Sequence, residues 1–274
     1  MDTFFVELER ARVRAFVTGE GSRTLVIVPD PPNLIEHHRE SIERLAGSYR
    51  IICFELPGFG RSALLNGSRF GFELQLQVMS EVLERLSARQ VILEMSCLGA
   101  LVGLRLARRR PDLVDKLVLA QVSSLAQMQA WAKGTDVGNI IHTPGLGQTL
   151  VSLSKRFIAR HWYRSALPEG ASEQLYQQYL QPTLQAMQEG GSFELASAYQ
   201  AVRREVEVDY AGISQSTLLL WGQADRTHEA SMPQALQQAL PHARLVEYSG
   251  CGHFPTLEDV DRYVRTLKEW EQAA

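Results

Sequence analysis

The sequence predicts an α/β fold: a mostly parallel twisted sheet covered by helices, with a helical segment inserted after the sixth strand. Three observations carry this. Up to about residue 124, short β-branched runs alternate with longer amphipathic stretches, which is how strands joined by covering helices read. From residue 125 to 210 the alternation stops; Gln, Ala, Leu, Trp and Tyr prevail and no good strand pattern occurs. Beyond residue 210 the strand pattern returns. The expected organisation is one core made of residues 1–124 and 211–274, and one helical cap over residues 125–210.

Element by element, the strands are expected at FFVELE, RVRAFVT, TLVIV, RIICFE, QVILEM and KLVLAQ. Between the third and fourth, EHHRESIERLAG places Ile42 and Leu45 at helical spacing and stops at Gly47. Between the fourth and fifth, ELQLQVMSEVLERLSA has apolar residues at intervals of three and four, an amphipathic helix packed on a sheet. The inserted stretch is broken at HTPGLGQ, LPEG and QEGGS into several helices. STLLLWG and ARLVEYS then read as the closing strands, with MPQALQQAL between them and EDVDRYVRTLKEWEQ as a final amphipathic helix.

Composition narrows the partners. The 274 residues are 45% hydrophobic and 22% charged, typical of a folded, water-soluble chain long enough for a sizeable core. The formal net charge of -3 provides no field that would gather nucleic acid or an anionic membrane. MDTFFVELERARVRAF lacks the apolar run of a signal peptide, and no 18-residue apolar stretch occurs, so a cytoplasmic protein with a small-molecule substrate is expected. Cys53, Cys97 and Cys251 are an odd count at wide spacing, which suggests neither a disulfide framework nor a zinc site. No metal or organic cofactor is implied: GFG after a strand is too short for a dinucleotide fingerprint.

The chemistry concentrates in QVILEMSCLGALVGLRLARRRP, where a strand, a tight turn and a helix follow in succession. This context suits a nucleophile elbow, in which the residue after the nucleophile points its N–H at a developing oxyanion. A frame centred on Ser96 would put Glu94 and Leu98 where the turn has no room. One centred on Cys97 puts Met95 and Gly99 there, satisfying one of the two positions.

From CLGALVGLRLARRRPDLVDKLVL the chain resembles the α/β-hydrolase superfamily, in which a proline follows the nucleophile by fourteen positions, as Pro111 follows Cys97. FELPGFGRS, with Gly58 and Gly60, is similar to the family's strand-end turn; LLLWGQADRT places Asp225 in its acid position, and GCGHFPTLE places His253 in its histidine position. The resemblance implies a variant with a cysteine nucleophile: Cys97 attacks, His253 takes its proton and Asp225 orients the imidazole. It implies an acyl-processing enzyme, a hydrolase, thioesterase or acyltransferase, acting on a hydrophobic ester or thioester that is free or carrier-bound. Pairing with histidine would lower the thiol pKa and favour a resting thiolate.

Three departures from the family pattern stand out, cysteine in place of serine among them. After the third strand VPDPPN replaces the usual His-Gly run, so Pro31, which has no N–H, falls on the second oxyanion-donor position. Either Asp30 or Asn33 donates from a shifted loop, or Leu98 N–H works almost alone. Met95 is the second, since a large residue there should widen or strain the turn. Two other functions remain open: a non-covalent lyase or cyclase with His253 as base, and a catalytically silenced binding protein. Cys251 reads as a loop residue and His37 and His38 as a solvated helix start, while His142, His161, Trp131, Trp162 and Tyr163 lie in the inserted segment as lining or packing groups. The substrate, the acyl acceptor and the oligomeric state are not legible.

Overall fold

A computed structural model of the chain describes residues 1–206, 209–240 and 242–273; residues 207 and 208 of the expected cap, and 241 and 274 of the expected core, lie outside the described residues. The strands are β1 (Phe4–Glu7), β2 (Ala11–Thr18), β3 (Arg23–Ile27), β4 (Tyr49–Phe54), β5 (Phe59–Gly60), β6 (Ala63–Leu64), β7 (Val91–Ser96), β8 (Val114–Ala120), β9 (Ser192–Phe193), β10 (Ser216–Gly222) and β11 (Ala243–Tyr248). The main sheet runs β1-β2-β4-β3-β7-β8-β10-β11, with β6 paired to β2. From β4 to β11 every neighbouring pair is parallel, while β1 and β2 form an antiparallel ribbon along one edge.

Helices α1 (Arg39–Leu45), α2 (Phe72–Arg85) and α3 (Cys97–Arg109) connect the early strands; α4 (Leu125–Thr135), α5 (Leu146–Ala166), α6 (Glu173–Gln188) and α7 (Leu195–Arg204) fall between β8 and β10; α8 (Pro233–Ala239), α9 (Pro255–Glu258) and α10 (Val260–Ala273) complete the chain. Strand residues alternate between two apolar layers. Val26, Ile52, Leu93 and Leu117 face a cluster shared with α2 and α3. Leu25, Ile27, Ile51, Ile92 and Val118 face another with Ile42 and Leu45 of α1 and Tyr263, Leu267 and Trp270 of α10. Burial on both faces explains why these strands read as continuous hydrophobic runs. Each such side chain contributes roughly 1.5–3 kcal/mol. One buried residue breaks the pattern: Glu94 on β7 accepts a hydrogen bond from Tyr263 of α10, and burial, opposed by that bond and one from Thr256, raises its pKa to about 7.

The inserted segment divides its packing. Leu125, Met128 and Trp131 of α4 and Ala198, Tyr199 and Val202 of α7 join the α2–α3 side of the core. Tyr163 and Ala166 of α5 and Tyr176, Tyr179 and Met187 of α6 form a separate cluster around Phe254. Contrary to the sequence expectation, the segment does contain a strand, since β9 pairs with β5 through Phe59 with Phe193 and Gly60 with Ser192. The glycines of QEGGS permit it: a Cβ on Gly191 would stand 2.6 Å from the carbonyl oxygen of Gly60. Among the described residues no helix is long and apolar enough to cross a membrane.

Candidate active site

Cys97 occupies the junction of β7 and α3 with φ +49, a left-handed conformation uncommon for a residue with a Cβ and the geometry of a sharp strand-to-helix turn. Met95 does not strain this turn. Its side chain runs against α3, where a Cβ on Gly99 would lie 3.4 Å from Cε and one on Gly103 3.0 Å from Sδ; the two helix glycines supply the room.

His253 follows β11 and is fully buried. Its backbone N–H donates to Ala166 O of α5 at 2.8 Å, and Trp162 meets the ring edge-on with centroids 4.9 Å apart. Asp225, after β10, accepts from His253 Nδ1 at 2.7 Å. Gln121 donates to the same oxygen at 2.7 Å, and Thr227 donates N–H and O–H to the other at 2.8 and 2.7 Å. Burial pushes Asp225 up, but the charge and hydrogen bond of His253 outweigh it and hold the carboxyl well below the usual range. The structure thus brings Cys97, His253 and Asp225 together, with a His253 ring nitrogen within 4.8 Å of the sulfur.

Asp30 adds a second carboxylate: its Oδ2 lies 3.2 Å from His253 Nε2. Burial tends to lower the imidazole pKa, yet Asp225 on one side and Asp30 and Cys97 on the other raise it well above the ordinary value. Asp30 is itself raised by burial, in part opposed by His253. Burial and the Asp30 charge push the Cys97 thiol up to about 11 despite His253 and Leu98 N–H. The resting thiolate expected from the sequence is therefore corrected to a thiol, because the sulfur is buried and the Asp30 carboxyl lies close to it.

On the oxyanion side, Leu98 N–H lies against the Cys97 sulfur. Pro31 lines the cavity and has no N–H to offer. Asn33 commits its backbone N–H to Asp30 O at 2.8 Å and its Oδ1 to Tyr163 at 3.0 Å; its Nδ2 is buried without a hydrogen-bond partner among the described residues, and the residue does not itself line the cavity. A donor that sequence reasoning did not assign is Trp162 Nε1, buried without a hydrogen-bond partner among the described residues on a residue that lines the cavity.

The second residue missed is His228. Its Nε2 lies 3.8 Å from Cys97 Sγ and its Nδ1 3.3 Å from Ser231 Oγ, and its ring stacks on Trp131 at 4.7 Å. Burial, with the nearby His253 charge, lowers its pKa to about 3, so the ring is neutral. Nothing in the motif grammar marks it; only the fold brings it to the sulfur. His37 and His38 are not solvated: His37 Nε2 donates to Tyr179 O at 2.9 Å while Leu34 N–H donates to its Nδ1 at 2.8 Å, and His38 is buried. His142 is held by Asp136 at 2.7 Å, and Cys251 is buried outside the cavity lining.

A cavity of about 490 Å³ extends from Cys97 and Asp30, walled by Phe59, Phe70, Phe193, Trp131, Trp162 and Tyr199 among others. Phe157, His161 and Arg226 line it while exposed, so it opens between α5 and the loop after β10. The outer face of α5 carries Leu146, Leu150 and Leu153 as well as Phe157, the last two 83% and 70% exposed.

The family model described as alpha/beta hydrolase fold matches residues 31–260. The chain is 27% identical over 240 residues, 81% of its length and 85% of the relative's, to the pimeloyl-[acyl-carrier protein] methyl ester esterase of Nitrosomonas europaea. It is 25% identical over 271 residues, 94% of its length and 90% of the relative's, to a 2-hydroxy-6-oxononadienedioate/2-hydroxy-6-oxononatrienedioate hydrolase of Burkholderia vietnamiensis. Among solved structures, a thermophilic esterase from Thermogutta terrifontis superposes with a TM-score of 0.74 at 19% identity, covering 100% of this chain and 99% of that one. A bromoperoxidase from Bacillus anthracis superposes at 0.75 with 14% identity, covering 99% and 100%.

Proposed function

The chain belongs to the alpha/beta hydrolase fold family, and from that premise we propose that it is a hydrolase of ester or thioester substrates whose nucleophile is Cys97, with His253 as base and Asp225 as its orienting carboxylate. The observation that carries this reading is the left-handed turn at Cys97, which aims a thiol into an apolar cavity beside a histidine held by a buried carboxylate. The inserted helices act as a cap over that cavity, and its aromatic walls suit a hydrophobic acyl group. Relatives named as an esterase of a carrier-bound methyl ester and as a hydrolase support the class, and a carrier-bound substrate is compatible with it.

In this mechanism the Cys97 sulfur bonds to the acyl carbon, its proton passes to His253, and the alcohol or thiol leaves with that proton; water then hydrolyses the thioester. The acyl oxygen meets Leu98 N–H. In its protonated form Asp30 is an O–H donor in this donor-poor loop, and burial shifts its pKa in that direction. Incubation with acyl thioesters should add the acyl mass to Cys97. Absence of an adduct together with undiminished turnover in Cys97→Ala would sink the reading.

One observation favours a second function, the approach of the Asp30 carboxyl to His253 Nε2 at 3.2 Å beside the thiol. It fits non-covalent acid–base chemistry of a lyase or cyclase kind, in which Cys97→Ser retains activity and His253→Ala does not.

A further inference from the structure

Cys97 Sγ, His228 Nε2 and a ring nitrogen of His253 converge to within 4.8 Å of one another, and all three side chains are buried. These are the donors that borderline and soft divalent cations take. The approach of Sγ to Nε2 of His228, 3.8 Å, is near the ligand–ligand edge expected when a zinc ion binds sulfur at about 2.3 Å and nitrogen at about 2.0 Å in a tetrahedron. Both rings are oriented from behind: Asp225 accepts from His253 Nδ1 at 2.7 Å, and Ser231 Oγ lies 3.3 Å from His228 Nδ1. A proton on His228 Nδ1 directed to Ser231 leaves its Nε2 lone pair for the cation, and His253 Nε2, beside Asp30 in the metal-free chain, gives up that contact on binding; outer hydrogen bonds to Nδ1 fix metal-binding histidines in this way.

Asp30 sharpens the case. Its Oδ2 lies 3.2 Å from His253 Nε2, at the margin of the three-atom group and on the cavity side, where it lines the wall with Cys97. Two buried carboxylates, Asp30 and Asp225, thus flank one histidine, and a dication bound between sulfur and imidazoles would balance them. Among the described residues no other group of His, Cys, Asp and Glu has this geometry.

We propose that Cys97, His228 and His253 form a binding site for a zinc-class divalent cation, with the fourth position open toward Asp30 and the cavity. The cation takes the sulfur lone pair and the Nε2 atom that acyl transfer needs, so metal-loaded protein is closed to the covalent route. That closure rests on the function proposed above; the binding itself does not.

Cobalt(II) added to chelator-treated protein should bind one per chain and give a sulfur-to-cobalt charge-transfer band with intense tetrahedral ligand-field bands, both erased by zinc. Cys97→Ser should abolish the charge-transfer band, and His228→Ala, which removes a direct ligand, should weaken binding by at least the roughly 10- to 100-fold that loss of an outer partner costs. Zinc should raise the unfolding temperature of the wild-type chain by mass action, a reading that does not depend on a variant folding. No charge-transfer band, a band unchanged in Cys97→Ser, or no thermal shift would overturn the site. Acylation of Cys97 in metal-free protein is scored separately: cobalt binding without acylation removes the covalent reading and leaves the metal site, and acylation without cobalt binding does the reverse.

Discussion

At the scale of single residues, the site turns on how three unusual choices meet. Cys97 places a thiol on the elbow, Pro31 withdraws a backbone donor, and Asp30 brings a carboxyl to His253 in the same loop. If protonated Asp30 supplies the missing donor, Asp30→Asn keeps an N–H donor there and Asp30→Ala removes it. Steady-state kinetics on an acyl thioester should then show kcat lowered about a hundredfold or more in the alanine variant and largely retained in the asparagine variant. Equal losses in both would show that the carboxyl itself, and not a donor, is required.

Between elements, the clearest coupling joins β7 to α10 through Glu94 and Tyr263. Because Glu94 is raised from 4.5 to about 7 in the fold, its stabilising contribution is fully present below the unfolded pKa and is lost as pH rises through 7. Glu94→Gln removes this dependence. Urea unfolding should find the variant more stable than wild type at pH 8, by up to roughly 3 kcal/mol, and nearly equal at pH 4; an identical difference at both would contradict it. Elements of this kind also mark what a sequence can tell. Cys97, Asp225 and His253 were legible because each follows a recognisable strand. The fit of Met95 was not, since it depends on Gly99 and Gly103 turning the same helix face toward it. His228 escaped notice, and Trp162 was legible only as a lining or packing group, because their relation to Cys97 and His253 exists only once segments far apart in the chain have packed together. The thiol pKa was misread for the same reason, burial being a property of the whole fold.

Across the whole molecule, the inserted helices are tied to the loops of the candidate site at several points. Ala166 O accepts the His253 N–H, Tyr163 donates to Asn33 at 3.0 Å, Thr183 donates to Pro32 O at 3.0 Å, and His37 donates to Tyr179 O at 2.9 Å. Hydrogen exchange should therefore find the His253 amide as slow as those of β7; exchange within seconds would mean that α5 swings away from the loop. A roof tied down in this way keeps its guests to the rim, where Phe157, His161 and Arg226 stand exposed on the cavity lining. If the proposed acyl substrate enters there, girth is sorted before grip: a straight-chain acyl thioester should turn over faster than a branched one of equal affinity, and equal rates would contradict it.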